Sequence, residues 1–336
     1  MLLSVVIPCY NEEDNVELFY DTIVHVFGNL MKDTELIFVN DGSRDETFRR
    51  LEYIYKNSPY QIKVISFSRN FGKEAALLAG LQHSEGDFVS IIDADLQQRP
   101  EYILEMMSIL NEHPEYDSVA AYQEERKEGR ILSFFKNCFY KIINKMTEME
   151  MVRSASDFRL LKRKVVDAIC SMPEKCRFSK GIFSWVGFNT FYMPYQVEER
   201  ANGVSKWSFW KLFVYAIDGI VAFSTVPLTV VSLAGILLCV LSGLFMIIIV
   251  VKTLIWGDPV AGWPSLVCIL FGVGGVQLLC TGILGQYLAK TYLEVKNRPV
   301  YLLKDSSKEE QRIMMMPLSQ NMRRKSYGKG KEVHSV

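Results

Sequence analysis

Short apolar runs alternate with amphipathic stretches through the first hundred residues. Leu2 to Ile7 is a β-branched run stopped by Pro8, and it reads as a buried strand. From Glu12 to Phe27 the apolar positions Val16, Phe19, Ile23 and Val26 follow the spacing of one helix face. Glu35 to Val39 is a second strand, ending in Asn40-Asp41-Gly42-Ser43, a turn whose glycine can take positive φ. A helix with Phe48, Leu51 and Ile54 inward follows, then a third strand over Ile62 to Phe67 and a helix over Lys73 to Gln82. Phe88 to Ile92 is a fourth strand, and Pro100 opens another helix, a position proline favours. This alternation predicts an α/β domain with a mostly parallel sheet covered by helices on both faces.

The pattern changes in the last third. Leu228 to Val251 and Pro264 to Ala289 are charge-free apolar stretches of about 24 and 26 residues, long enough to cross a bilayer. The loop between them, Lys252 to Trp263, carries Trp256 and Trp263 as interfacial anchors. Basic residues crowd the outer flanks, at Lys206 and Lys211 before the first span and Lys290, Lys296, Arg298 and Lys304 after the second. The positive-inside rule then puts both termini in the cytosol. Glycines in the second span (Gly272, Gly274, Gly275, Gly282, Gly285) allow close helix approach, so a homo-oligomer is expected. Ser133 to Met146 and Trp207 to Tyr215 mix aromatics with lysines at helical spacing. The second of these is expected to lie in the membrane interface; for the first, an ordinary core-facing helix fits equally well. The tail beyond Lys304 is polar and basic, and is expected to be disordered and drawn to anionic lipid.

Bulk composition narrows the class. Lys+Arg and Asp+Glu both number 38, so there is no basic field of the kind a nucleic-acid protein presents. The seven cysteines show no C-x-x-C pair, which favours reduced thiols over a disulfide framework. The four histidines show no zinc spacing. The chain opens on a strand-like run, so no signal peptide is expected. The turn after the first strand, Pro8-Cys9-Tyr10-Asn11-Glu12, lacks G-x-G-x-x-G, and Gly72-Lys73 lacks the upstream glycine of a P-loop. A nucleotide site would therefore rest on side chains and metal.

The candidate chemistry sits past the fourth strand, in Asp93-Ala94-Asp95. Carboxylates at the carboxyl end of a strand face the crevice where open α/β sheets bind ligands. A hard divalent cation there takes one or two carboxylates and completes its shell with water and phosphate oxygens. Asp41, also at a strand end, can accept the N3–H of a uracil or the equivalent guanine edge, or can brace its own turn. Tyr10 can pack on base or ribose. Glu12 can accept from ribose hydroxyls, or can serve as a first-turn charge favoured by the helix dipole. Arginine and lysine suited to phosphate occur at Lys73, Arg126, Arg177, Arg200 and Lys206. Arg200 and Lys206 bracket a flexible loop that suits a lid over diphosphate and lipid phosphate.

Taken in order, Val5-Val6-Ile7-Pro8-Cys9-Tyr10-Asn11-Glu12, Val39-Asn40-Asp41-Gly42-Ser43, Asp93-Ala94-Asp95 and Gly203-Val204-Ser205-Lys206-Trp207 resemble family 2 glycosyltransferases of the GT-A fold. With two C-terminal spans the chain is similar to bacterial polyprenyl-phosphate (bactoprenol) glucosyltransferases, relatives of dolichol-phosphate mannose synthases. The resemblance implies a cytosolic GT-A domain over residues 1–205, an interfacial helix over 206–221, two transmembrane helices within 222–290 and a cytosolic tail over 291–336. It implies inverting transfer of a hexose, from UDP-glucose first, to undecaprenyl phosphate at the bacterial inner membrane, with Mg²⁺ or Mn²⁺ and as a tetramer. UDP-N-acetylglucosamine, GDP-mannose and an aminoarabinose donor are the alternatives. By the same match Asp93 contacts the nucleotide and is a possible second metal ligand, Asp95 holds the cation, and Gln97 reaches the donor sugar. Pro8, Tyr10, Glu12, Asp41 and Lys73 belong to the donor site, and Asp157 is the family's third acid. That acid can act as base, metal-shell residue or acceptor positioner. Arg126, Arg177, Arg200, Ser205 and Lys206 take the lipid phosphate or diphosphate. Two rivals are weaker. A processive polysaccharide synthase carries a Gln-x-x-Arg-Trp signature absent from Arg177 to Trp185, and an inactive membrane scaffold would not need Asp41, Asp93, Asp95 and Asp157 together.

Overall fold

The computed structural model describes residues 3–123, 155–196, 226–256 and 262–304. The chain divides into two compact units. One holds residues 1–140, 149–207 and 299–336, and the other residues 141–148 and 208–298. Both basic aromatic stretches (Ser133 to Met146 and Trp207 to Tyr215), residues 257–261 of the inter-span loop and the tail beyond Lys304 lie outside the described residues.

The first unit is an α/β layer structure around a seven-stranded sheet in the order β3-β2-β1-β4-β6-β5-β7. Its strands are β1 (Leu3–Cys9), β2 (Thr34–Asn40), β3 (Gln61–Ser66), β4 (Phe88–Ile91), β5 (Ser118–Gln123), β6 (Ala155–Lys162) and β7 (Thr190–Tyr195). The first four run parallel, as the alternation of strands and helices predicts. β6 runs antiparallel to both β4 and β5, and β7 runs parallel to β5. Every residue of β2 is buried, which explains the unbroken apolar run Leu36 to Val39 at its centre.

The helices are α1 (Val16–Phe27), α2 (Thr47–Asn57), α3 (Lys73–His83), α4 (Glu101–Glu112), α5 (Arg163–Ser171) and α6 (Ser179–Trp185). Val16, Phe19, Ile23 and Phe27 form the buried face of α1, and Phe19 meets Phe38 of β2 edge to face at 6.4 Å. α1, α2 and α4 share one core with Val5, Ile7, Leu36 and Phe38. α3 lies against β1 from the side of Val6, where a Cβ on Gly80 would come within 2.1 Å of Val6 Cγ1. Glycine at that position lets helix and strand approach closely.

One expectation is corrected. Pro8 does not stop the first strand; β1 runs through it to Cys9, with Pro8 level with Val39 of β2. The Val6 carbonyl accepts Ile92 N–H from the β4 side, whereas the Cys9 carbonyl accepts Asp41 N–H from the β2 side. Pro8 shares the β4-facing side with Val6 but lies beyond the last β4 pair, Val6 with Ile91. With no N–H it cannot donate the next bond toward β4, so the pairing with β4 ends here while that with β2 runs on to Cys9.

The second unit contains α7 (Val226–Trp256) and α8 (Trp263–Val295), which contact one another. Large apolar side chains such as Leu233, Ile236, Leu270 and Leu278 stand exposed along them. Counted over the described residues, no helix is long and apolar enough to cross a membrane. Several side chains inside both helices are outside that description.

Candidate active site

The site forms at the carboxyl ends of β1, β2 and β4, where the parallel strands release their loops. These loops are stitched to one another. Asn11, in the left-handed region at φ 54°, donates its backbone N–H to Ser43 Oγ (3.0 Å), and its Oδ1 accepts Arg44 N–H (3.0 Å). Glu12 N–H bonds Thr47 Oγ1 at 2.8 Å, and its carboxylate accepts Asn15 Nδ2 at 2.6 Å. Glu12 therefore lies four residues ahead of α1 and organises the loop. Pro8 is half-buried and Tyr10 exposed at the same rim.

Asp41 is a buried brace. Its Oδ1 accepts Phe71 N–H at 2.6 Å and its Oδ2 accepts Gly72 N–H at 2.9 Å, so it pins the loop that leads into α3. Burial lifts its carboxyl above the usual range, against the pull of these two N–H groups and of Arg69. Gly42 sits beside it at φ 61°, where a Cβ would lie 2.2 Å from the Arg69 carbonyl carbon. Glycine is required there for backbone conformation and for space alike.

Antiparallel pairing brings the acids together. Ile91 of β4 is level with Arg159 of β6. Two residues further, past the end of β4 and back along β6, Asp93 comes opposite Asp157. Lys73, the first residue of α3, bridges them. Its Nζ lies 2.7 Å from Asp93 Oδ1, 2.9 Å from Asp93 Oδ2 and 3.4 Å from Asp157 Oδ2. Desolvation pulls the Lys73 ammonium down, but Asp93 and Asp157 more than reverse it and hold the pKa well above the usual lysine value. Burial raises Asp157, yet Lys73, Lys180 and Arg159 outweigh it, so its carboxyl stays below the usual range. Asp157 is thus firmly ionised at neutral pH, and a weak base.

Asp95 follows on a tight turn. Leu96 is left-handed at φ 58°, an uncommon conformation for leucine, and Gln97 N–H bonds Asp95 Oδ1 at 3.2 Å. Among the described residues no group of three or more His, Cys, Asp and Glu side chains gathers to hold a metal ion. The donor chemistry nevertheless suits a hard cation shared with a ligand. Asp93 already carries Lys73 on both oxygens, while Asp95 offers a partly exposed carboxylate two residues on. One or two carboxylates plus phosphate oxygens and water is the ordinary shell of Mg²⁺.

Four further residues complete the site. Buried Gln98 receives Asp93 N–H on its Oε1 (3.1 Å) and holds Asp93 Oδ2 (3.4 Å) and Ser156 Oγ (3.5 Å) with its Nε2. Glu74 accepts Ser179 N–H at 2.8 Å and the Ser179 hydroxyl, tying α3 to the start of α6. Lys180, next on α6, adds positive charge toward Asp157. Arg159 lies buried over the Phe183 ring, 3.6 Å from its centroid, and bonds the Ser156 carbonyl. Burial lowers its pKa to about 10, so it stays charged at neutral pH. Sequence patterns alone did not single out these four. In sequence Arg159 reads only as a possible ion-pair partner for Asp157, and Glu74 and Gln98 are each masked by a polar neighbour with a stronger motif.

Arg177 sits at a helix end, its charge still reaching Glu74. Its guanidinium bonds the Ile169 and Met172 carbonyls at 3.1 and 3.2 Å and closes the end of α5. Arg126, Arg200, Ser205 and Lys206 lie outside the described residues.

A parallel half-sheet thus carries a braced turn after β2 and a lysine bridge between Asp93, past β4, and Asp157, on β6, and the comparisons with known proteins identify this class of fold and site as a glycosyltransferase. The profile described as "Glycosyl transferase family 2" matches residues 4–170. The chain is 43% identical over 304 residues to a Synechocystis sp. protein named uncharacterized glycosyltransferase sll0501, covering 90% of this chain and 95% of that one. It is 40% identical over 307 residues to the SfII prophage-derived bactoprenol glucosyl transferase of Shigella flexneri (91% and 98% covered). It is 37% identical over 305 residues to the prophage bactoprenol glucosyl transferase homolog of Escherichia coli K12 (90% and 99% covered). The chain belongs to glycosyltransferase family 2, and within it is a bactoprenol glucosyltransferase-like protein.

Proposed function

We propose that the protein transfers a hexose, glucose from UDP-glucose first, to undecaprenyl phosphate with inversion at the anomeric carbon. The observation that carries this is the Lys73-bridged pair Asp93 and Asp157 beside Asp95, with Asp157 held ionised. The reading draws support from relatives named bactoprenol glucosyl transferase that match along nearly their whole length.

In this reaction an acceptor phosphate oxygen attacks C1 of the sugar. The bond from C1 to the diphosphate oxygen breaks, and the electron pair leaves with the nucleoside diphosphate. A phosphate monoester is already largely anionic near neutral pH, since its second pKa is about 6, so no strong base is needed. That suits an Asp157 whose surrounding cations keep it ionised and weakly basic. Its role is then to fix Lys73, and Lys73 with Lys180 supplies positive charge near two anionic substrates. Mg²⁺ or Mn²⁺ held by Asp95 would neutralise charge growing on the leaving diphosphate. Asp93 orients the donor, pinned by Gln98 and Lys73. Pro8, Tyr10 and Glu12 form the nucleoside rim, and Gln97 lies beside the sugar.

The lipid acceptor calls for a membrane location. At about 1.5 Å rise per residue, α7 and α8 extend roughly 46 and 50 Å, against a hydrocarbon core of about 30 Å. Lys252 is the sole formal charge in Val226–Trp256, and Lys290 and Glu294 fall only in the last two turns of Trp263–Val295. We read both as inner-membrane spans with catalytic unit and termini cytoplasmic, in a homo-oligomer. The test is a donor panel. Purified protein with undecaprenyl phosphate and Mn²⁺ receives UDP-glucose, UDP-N-acetylglucosamine, GDP-mannose or an aminoarabinose nucleotide, each labelled in the sugar. One lipid-linked monosaccharide is expected, from UDP-glucose. Label transferred from none of them would refute the reaction.

A further inference from the structure

Beyond α8 the chain returns to the first unit as a short strap, and it docks beside the loop that Asp41 braces. Leu303 pairs antiparallel with Phe67 at the end of edge strand β3. Ser68 N–H bonds the Leu302 carbonyl at 2.9 Å, and Lys304 N–H bonds the Ser66 carbonyl at 2.8 Å. The strap thereby satisfies two backbone groups that an edge strand would otherwise present outward. Tyr301 stacks on the buried Phe67 ring, with centroids 4.8 Å apart and planes 17° apart, and its hydroxyl bonds Gln82 Oε1 at 2.8 Å. Phe67 in turn meets Phe71 edge to face at 5.8 Å. Phe71 and Gly72 are the residues whose N–H groups hold the Asp41 carboxylate. An unbroken set of contacts therefore runs from Tyr301 through Phe67 and Phe71 to Asp41.

We propose that residues 301–304 are a positioning strap for nucleotide recognition, setting the 67–72 loop and through it the Asp41 carboxylate. Tyr301 touches no reacting atom; it acts through Phe67. The inference rests on the reading of this sheet end as the donor nucleotide site. Its chemistry explains why the chain, after α8, spends a stacked tyrosine and two backbone bonds on one edge of one loop. The free edge of β3 is closed at the point where loop geometry matters most to a bound base.

The test uses the full chain in detergent. UDP and GDP binding with Mn²⁺ is measured by calorimetry, alongside donor KM and kcat with UDP-glucose. Tyr301→Ala is expected to weaken UDP binding about fivefold to tenfold, raising donor KM while kcat holds. Tyr301→Phe, which keeps the ring, restores tight binding. Lys304→Pro removes one strap hydrogen bond without touching the stack, and it decides the matter if Tyr301→Ala does not fold; it is expected to raise donor KM in the same direction. Tyr301→Ala and Lys304→Pro binding UDP as the wild type does would overturn the strap. So would a fall in kcat at unchanged donor KM, the mark of a merely smaller folded fraction. Wild-type protein that binds neither UDP nor GDP would instead remove the donor-site reading beneath it.

Discussion

Replacing Lys73 with methionine tests the electrostatic core of the site. The change keeps most of the stem and removes the charge lying 2.7 Å from Asp93 and 3.4 Å from Asp157. The lysine side chain is 43% exposed, so solvent screens it and a high effective dielectric applies. With ε of about 40–80, Coulomb's law gives roughly 1–3 kcal/mol for each pair. Exposure and side-chain entropy reduce the sum, and about 2 kcal/mol at pH 7 is the expected net loss. The sign with pH follows from Asp157. In the wild type its folded pKa is depressed, so its stabilisation is present above the unfolded value near 4 and is lost as pH falls through the folded pKa. Without Lys73 the burial contribution loses its largest counterweight and the folded pKa rises. The variant is then penalised most when Asp157 must be charged. Thermal unfolding in detergent should show Tm lowered by roughly 4–8 °C at pH 7 and by less at pH 4.5, the difference shrinking as Asp157 of the variant takes up its proton. A Tm difference that is the same at both pH values, or absent at both, would refute this account of the acid pair.

Other substitutions separate the remaining roles. Gly42→Ala forces a Cβ to 2.2 Å from the Arg69 carbonyl carbon at φ 61°, and is expected to cost at least about 2–3 kcal/mol and UDP affinity with it, read by unfolding and calorimetry. Gly80→Ala should cost about 1–3 kcal/mol by pushing α3 off Val6, with donor KM unchanged; a shifted KM would link this packing to the site. Arg177→Leu should lower Tm by the loss of a helix-end cap, about 1 kcal/mol, while the KM for undecaprenyl phosphate stays put. A raised acceptor KM would return Arg177 to the phosphate site. Glu74→Gln leaves a weaker partner for Ser179, and should reduce turnover through α6 and Lys180 more than it reduces UDP binding.

Much of the site was legible because parallel strands place chemistry at predictable ends. The runs before Asn40 and Asp93 are plain strands, so Asp41, Asp93 and Asp95 could be assigned to the crevice from spacing and punctuation. Pro8 reads as a strand stop, but it ends only the pairing with β4, and the strand continues to Cys9 on the β2 side. The meeting of Asp157 with Asp93 depends on β6 running antiparallel beside β4, a long-range pairing that no local pattern encodes. Lys73 as a bridge, Gln98 as a clamp and Glu74 as a tie to Ser179 are tertiary facts of the same kind. Arg177 shows a further case: a cation singled out for its chemistry also closes a helix end, which no local pattern encodes. The strap at Tyr301 was hidden in what reads as the start of a polar tail.

The central claim is that these acids serve transfer of a sugar to a membrane-borne phosphate with a divalent cation at Asp95. The most direct measurement is incorporation of labelled glucose from UDP-glucose into an undecaprenyl-phosphate-linked product, before and after chelation, in wild type and Asp95→Asn. The account predicts one lipid-linked monosaccharide, lost on chelation, restored by Mn²⁺ or Mg²⁺ in the wild type and not restored in the variant. Undiminished transfer by chelated enzyme or by Asp95→Asn would contradict it.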